Sequence, residues 1–350
     1  VKRIIFSDLH LNTWSYGATV TGDGFNSRLY AQCQALIEMA TYAEENDIRY
    51  VYFCGDLFHT PGKVPTQALQ LAHEAFSLMK SKGLHLRFLV GNHDVENRTG
   101  TIHALKWLDQ FGHVVEGDAP AQWVDAGLPI HALGYTEDAE KITRTLATAG
   151  NDSMVLLHQG VDGHALGSGY VLNDVLTPEM IGPNIRHCFT GHYHRNDYVT
   201  KNLTIVGAMT PLTWSDLNES KGFLVWDDET NKVTQCASEI PPKFTTVQAE
   251  DLAAASCTDL SNCFVRVMGR PKDTIEEVRE LLTSCGALKV EFHMNEADAN
   301  KASVRQAFKT FDIQLGVKQA EKEVKPARKV VGEQLRALNY ISPLKLKEFN

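Results

Sequence analysis

The sequence predicts an α/β fold with largely parallel strand pairing over its first 160 residues. Two observations carry this. Short apolar runs alternate with segments whose apolar residues recur at the helical period, and each run stops abruptly at Gly, Asp, Asn or His. Arg3–Ser7 is the first strand and ends at Asp8-Leu9-His10. A polar, Gly-rich stretch from Asn12 to about Ser27 follows. Leu29, Cys33, Leu36, Ile37, Ala40 and Ala43 then share one face of an amphipathic helix. Tyr50–Cys54 is the next strand, stopped by Gly55-Asp56. Pro65 suits the first turn of a second helix, whose apolar arc is Ala68, Leu71, Ala72, Ala75, Phe76 and Met79. Leu84–Val90 is the third strand, stopped by Gly91-Asn92-His93-Asp94. Met154–Leu157 runs into His158, and His187–Thr190 into Gly191-His192-Tyr193-His194. Thr204–Gly207, Phe223–Trp226 and Val233–Cys236 read as a mixed or antiparallel closing segment.

Pro241-Pro242 is the clearest boundary signal. It divides a domain over residues 1–240 from a smaller strand–helix–strand module over 244–297, in which Phe264–Met268, Thr274–Ser284 and Leu288–Met294 are the elements. A basic segment over 298–350 carries two short helical stripes, Val304, Phe308, Phe311 and Leu315, then Val331, Leu335 and Leu338. At 350 residues with 43% hydrophobic and 22% charged side chains, the chain has an ordinary globular composition with ample length for a core. No apolar run approaches the ~20 residues of a membrane span, and Ile4-Ile5-Phe6 followed by Ser7-Asp8 is no signal-peptide core. The seven cysteines are scattered without a C-x-x-C pair, which points to reduced thiols in a cytoplasm. Net charge is −9, but unevenly placed: the first 243 residues hold ten more acidic than basic side chains, and the last fifty hold six more basic than acidic. An acidic body argues against sequence-blind wrapping of nucleic acid, while leaving room for a site whose positive charge comes from metal ions.

Five strand ends carry metal-capable residues: Asp8 and His10, Asp56, Asn92 with His93 and Asp94, His158, and His192 with His194. Ligand sites of open α/β sheets lie just beyond the carboxyl ends of strands, so these loops can converge. The residue types fit two cations: carboxylates bridge, imidazoles bind borderline metals such as manganese, iron or zinc, and an Asn carbonyl adds a neutral ligand. Each piece alone has an ordinary structural reading as a capped turn or a satisfied core histidine. Five in this order, each behind a strand, do not.

Asp8-Leu9-His10, Gly55-Asp56, Gly91-Asn92-His93-Asp94, His158 and Gly191-His192-Tyr193-His194 together resemble the motifs of the calcineurin-like metallophosphoesterases. The fuller forms Ser7-Asp8-Leu9-His10-Leu11, Gly55-Asp56-Leu57-Phe58-His59, His158-Gln159-Gly160 and Gly191-His192-Tyr193-His194-Arg195 resemble the SbcD-type nuclease subunit of double-strand-break repair, found also as a phage recombination nuclease. The resemblance implies a four-layer α/β sandwich, two mixed sheets flanked by helices, and a Mn²⁺-favouring DNA nuclease with two metals. Asp8, His10 and His194 would hold the first metal, Asn92, His158 and His192 the second, and Asp56 would bridge them. His93 would donate a proton or hydrogen bond to the phosphate or leaving group, oriented by Asp94. His59 would sit at the rim and position the nucleic-acid strand. The resemblance further implies a homodimer working with an SMC-type coiled-coil ATPase, a capping domain over 244–297 that positions DNA, and a basic tail that docks the ATPase.

The remaining features have two readings each. Residues 244–297 suit an accessory packing module as well as a cap, and the tail suits a solvated charged segment. The broad arc of the helix at 65–80 suits plain burial as well as a dimer face. Arg195 can reach a phosphate or pair with a carboxylate. Two rival functions remain open: a phosphoesterase for small substrates such as cyclic nucleotides, which has little need of the chain beyond Pro241, and a non-catalytic adaptor, which should have lost ligands that this chain keeps.

Overall fold

The computed structural model describes residues 1–97, 100–164, 174–252 and 259–294. The alternation read from the sequence becomes two six-stranded mixed sheets. The first has the order β12-β11-β1-β2-β3-β4, with β1 Lys2–Phe6, β2 Tyr50–Phe53, β3 His85–Leu89, β4 Gly112–Val115, β11 Gly222–Asp227 and β12 Lys232–Ala237. Strands β1 to β4 pair in parallel, and β11 and β12 close the edge antiparallel. The second sheet has the order β5-β6-β7-β8-β10-β9, with β5 Ala121–Asp125, β6 Leu128–Leu133, β7 Ser153–Leu157, β8 Ile185–Thr190, β9 Asp197–Thr200 and β10 Leu203–Ile205. Here β6, β7, β8 and β10 run parallel between two antiparallel edge strands.

Alternation along each strand sorts the side chains into three cores. Ile4, Phe6, Val51, Phe53 and Phe88 face helices α1 (Ser27–Glu45) and α2 (Thr66–Ser81), meeting Leu36, Ala40, Ala72 and Phe76. Ile5, Tyr52 and Leu89 face the other way and pack against Ile130, Met154, Leu156 and Phe189 of the second sheet. Val155, Leu157 and Cys188 pack outward on Ile142 and Leu146 of α3 (Ala139–Thr148). The result is helix, sheet, sheet, helix: the four-layer sandwich. The Asn26 side chain caps α1 by accepting from Leu29 N at 3.2 Å. Pro65 sits one position earlier than expected, as the residue flanking α2, with extended backbone. The broad arc of α2 is spent on this core, since Ala68, Leu71, Ala72, Ala75, Phe76 and Met79 are all buried.

Two compact units divide the chain. Among the described residues, the first comprises those of 1–245, 261–264 and 287–289, and the second 246–252, 259–260, 265–286 and 290–294. A separate three-stranded sheet, order β13-β14-β15, is built from Lys243–Gln248, Cys263–Met268 and Lys289–His293. Helix α4 (Ile275–Ser284) starts at a capping box: Glu277 N donates to Thr274 Oγ1 at 3.2 Å, and Thr274 N to Glu277 Oε2 at 2.9 Å. The two apolar stripes expected beyond residue 301 lie outside the described residues.

Candidate metal centre

The loops after β1, β2, β3, β7 and β8 meet within the first unit. Three backbone bonds run the first two side by side: Asp8 N to Gly55 O (2.9 Å), His10 N to Asp56 O (3.1 Å) and Leu11 N to Leu57 O (2.8 Å). The turns are tight and partly left-handed. Ten non-glycine residues have left-handed backbone among the described residues, and four of them are Asp8 (φ 52°), His10 (46°), Asp56 (63°) and His192 (86°). Backbone strain of this kind persists only where the surroundings over-determine it, and it gathers at functional sites. Glycine is required where chains touch: a Cβ on Gly91 would run into the Asp56 carboxylate, and one on Gly55 into the His158 ring.

Two donor clusters share one atom. In the first, His10 Nε2 lies 3.1 Å from His194 Nε2, 3.9 Å from Asp8 Oδ1 and 3.6 Å from Asp56 Oδ2. In the second, His158 Nε2 lies 3.4 Å from that same Asp56 Oδ2 and 3.0 Å from Asn92 Oδ1, which is 2.9 Å from His192 Nδ1. Atoms that ligate one ion at about 2.1 Å stand roughly 3.0–3.4 Å apart; the His10–His194, His158–Asp56 and His158–Asn92 spacings fall in that range, and the spacings of 3.6 and 3.9 Å from His10 to the two carboxylates are wider. Asp8/His10/His194 and Asp8/Asp56/His158 each bring ligand atoms within 4.8 Å of one another, as does a third triplet, His10/His59/His93.

The chemistry of the donors asks for positive charge. His158 Nδ1–H donates to the Cys54 carbonyl, so the Nε2 lone pair of the neutral ring faces two more acceptors, Asp56 and Asn92. Acceptors turned on one another repel unless a cation or proton lies between them. Burial pulls the His158 imidazole down, yet Asp56 and Asp8 raise it to about 9. Burial pushes Asp8 up to about 7, with neighbouring Asp56 adding to the rise. Burial also pushes Asp56 upward, but His158 and His10 outweigh it and hold this carboxyl below the usual carboxylate range. Burial holds His192 near 4 and His10 well below its ordinary value, which keeps both rings neutral with lone pairs free. The residues fit a pair of divalent cations.

The other predicted residues surround this centre. His93 N donates to Asp56 Oδ1 at 2.8 Å, and its ring Nδ1–H donates to the His59 carbonyl at 2.7 Å. The bond expected between Asp94 and the His93 ring is not among those made. The Asp94 carboxylate accepts four backbone N–H groups instead, from Asp56 (2.9 Å), Leu57 (3.0 Å), Phe58 (3.2 Å) and Gly91 (3.0 Å). The tight return from Gly91 to Asp94 turns its carboxylate back onto the Gly55–Phe58 loop. The His59 ring is half-buried, 4.8 Å from Trp14 and 5.5 Å from His10 between centroids. Arg195 is exposed and forms no ion pair among the described residues. Tyr135 is a site neighbour that the motifs do not include: its ring stacks on His192 at 5.9 Å and meets the edge of His158 at 6.3 Å. Its signal in the sequence is the same as elsewhere, an apolar run (Ile130–Leu133) ended by Gly134-Tyr135.

The profile of the calcineurin-like phosphoesterases matches residues 1–196, and the chain belongs to that family. It is a family of phosphoesterases that use a dinuclear metal site. Among curated proteins the chain is similar to exonuclease subunit 1 of Enterobacteria phage T4, 22% identical over 64% of this chain and 65% of the phage protein. It is also similar to the SbcD component of the SbcCD nuclease from Bacillus subtilis strain 168, 26% identical over 44% of this chain and 39% of that one. The chain thus spans just under two thirds of the first relative and well under half of the second. Among solved structures the chain matches an archaeal phosphodiesterase (12% identity, TM-score 0.35, 68% of this chain and 100% of that one). Another is a dimetal phosphatase from Danio rerio (11% identity, TM-score 0.37, 64% and 91%). No described helix is long and apolar enough to cross a membrane.

Proposed function

We propose that the chain is a Mn²⁺-dependent DNA nuclease, the nuclease subunit of a recombination or repair complex whose partner is an SMC-type coiled-coil ATPase. The observation that carries the reading is Asp56 Oδ2 standing between two donor clusters, 3.6 Å from His10 and 3.4 Å from His158. Asp8, His10 and His194 would hold the first cation, Asn92, His158 and His192 the second, and Asp56 would serve both. The carboxylate and carbonyl oxygens among the donors suit Mn²⁺. When bound, the pair of cations polarises the phosphodiester and lowers the pKa of water enough to supply hydroxide at neutral pH.

The side chains supply the rest. With Nδ1–H committed to the His59 carbonyl, His93 has only Nε2 left to hold a proton for the departing oxygen. Asp94 acts on the loop that carries Asp56 rather than on the ring. His59, packed against Trp14, and the exposed Arg195 are assigned to positioning the nucleic-acid strand. DNA as substrate is supported by the two relatives, both named as nuclease subunits. We assign residues 244–297 to a cap that positions DNA and the basic residues 298–350 to ATPase docking. A homodimer completes the assembly; Leu69, exposed on the outer face of α2, is available to it. We place the chain in a cytoplasm, on the scattered cysteines without a C-x-x-C pair. An adaptor without catalysis has no use for seven converging donors.

The test is digestion of end-labelled DNA with Mn²⁺ or Mg²⁺, beside cyclic AMP and p-nitrophenyl phosphate esters. Mn²⁺-dependent loss of the labelled DNA is expected. Turnover confined to the small esters, or none with any divalent metal, would overturn the reading.

A further inference from the structure

Two buried polar side chains outside the family motifs reach the backbone of the first half-site. Gln32, on α1 and almost wholly buried, donates from Nε2 to the Leu9 carbonyl at 2.6 Å. Leu9 lies between Asp8 and His10, both in left-handed backbone, so this bond holds the middle of a strained turn. The same amide nitrogen donates to Thr210 Oγ1 at 3.2 Å, and Gln32 Oε1 accepts from Trp14 Nε1 at 2.9 Å. Gln32 therefore ties the Asp8–His10 turn to the segment after β10 and to the indole that packs on His59.

Lys221, at the start of β11, is buried too, with 2% of its side chain exposed. Its ammonium donates to the His194 carbonyl at 2.6 Å and to Glu219 at 2.6 Å, and is ion-paired with Asp216 at 2.9 Å. Asp216 is fixed in turn by Leu212 N (2.9 Å) and Thr213 N (3.0 Å). The His194 carbonyl also accepts Ala208 N at 2.8 Å. A buried lysine paired with two acids is costly to assemble unless it serves a purpose, and here its third bond lands on a ligand residue.

The second half-site is held differently. His158 bonds the Cys54 carbonyl, Asp94 fixes the loop that starts at Gly91, and Tyr135 stacks on His192. None of these supports touches Leu9 or His194.

We propose that Gln32 and Lys221 are positioning residues for the first cation alone, holding Asp8, His10 and His194 in register through the carbonyls of Leu9 and His194. The proposal rests on the two-metal reading above. Outer partners of metal ligands typically contribute roughly 10–100-fold in metal affinity. Removing either bond should weaken one of the two sites by that factor and leave the other unchanged. The sites become unequal; neither should vanish.

The experiment is equilibrium dialysis of Mn²⁺ against the full chain, with free Mn²⁺ read by EPR, for the parent, Gln32→Met and Lys221→Met, alongside thermal melts. The parent should bind two equivalents. Each variant should bind one equivalent at parental affinity and the other roughly 10–100-fold more weakly. Two parental equivalents combined with variants in which both sites weaken alike, or neither does, would overturn this inference alone. A parent that binds one equivalent or none would overturn the two-metal reading and this inference with it. If the acids stranded by Lys221→Met prevent folding, Gln32→Met, which strands no charge and sits on another element, decides the matter.

Discussion

Replacing Asp94 with Asn separates two ways in which this carboxylate can serve the centre. Its Oδ2 accepts Asp56 N and Gly91 N, and its Oδ1 accepts Leu57 N and Phe58 N, at a side chain 1% exposed. An amide keeps one of these oxygens and turns the other into a donor, which faces two N–H groups. Each buried donor left without a partner costs about 1–3 kcal/mol, so the substitution should cost about 2–4 kcal/mol after partial rearrangement. The stranded groups lie in the loops that carry Asp56 and Asn92, and metal affinity should fall with stability, by roughly 10–100-fold. Urea unfolding gives the first quantity and Mn²⁺ dialysis the second. If Asp94→Asn unfolds within about 0.5 kcal/mol of the parent, binds Mn²⁺ equally well and loses only turnover, Asp94 acts through His93 after all and the loop account fails.

His93→Gln should keep both cations and DNA binding while losing about 10²–10⁴-fold in turnover, the range of general-acid help, as measured at saturating Mn²⁺ and DNA. Lost metal would make His93 a ligand instead. His187 is buried between Asn231 Oδ1 and Thr204 Oγ1, each 2.9 Å from a ring nitrogen, and burial pulls it down to about 4. Because its folded value lies below its unfolded one, the unfolded chain takes the proton first. About 3 kcal/mol of stability present above pH 6.5 should drain away as pH falls towards 4. His187→Gln should flatten that part of the urea-unfolding profile, and parallel profiles would refute the assignment. Arg3 is fully buried and spans Asp228 (2.8 Å), Tyr52 (2.9 Å) and the Asp125 carbonyl (3.0 Å). Arg3→Met should cost about 1–3 kcal/mol by taking both donors from Asp228 Oδ2, whose Oδ1 keeps the Val1 ammonium, with metal binding intact; a loss under about 0.5 kcal/mol in chemical unfolding would contradict it.

The metal centre is legible in the sequence because each part sits where a buried strand stops, and a run such as Tyr50–Phe53 ending in Gly55-Asp56 announces both strand and site. The β5–β6 hairpin is not legible. Its turn is Ala126-Gly127 with φ of 50° and 80°, and alanine in left-handed backbone lacks the usual Asn-Gly or Asp-Gly signature. Helix α3 gives a weak signal because only Ile142, Thr145 and Leu146 are buried along it, although Asp138 caps it by accepting Glu140 N at 3.0 Å. Gln32 and Lys221 are ordinary polar residues by sequence. Their weight comes from long-range contacts, 23 and 27 residues away, that no local pattern encodes. The partner of Asp94 is hidden for a related reason: adjacency to His93 suggests the ring, whereas the turn sends the carboxylate to a loop 36 to 38 residues earlier.

The central claim is that one carboxylate, Asp56, joins two cation sites. Metal content after reconstitution with Mn²⁺ and removal of free ion, read by mass spectrometry on the parent and on Asp56→Ala, tests it most directly. Two equivalents per parent chain are expected, and the loss of most of both in the variant, with hydrolysis abolished. Two equivalents retained by folded Asp56→Ala would contradict the shared role of that oxygen, and fewer than two in the parent would contradict the dinuclear centre itself.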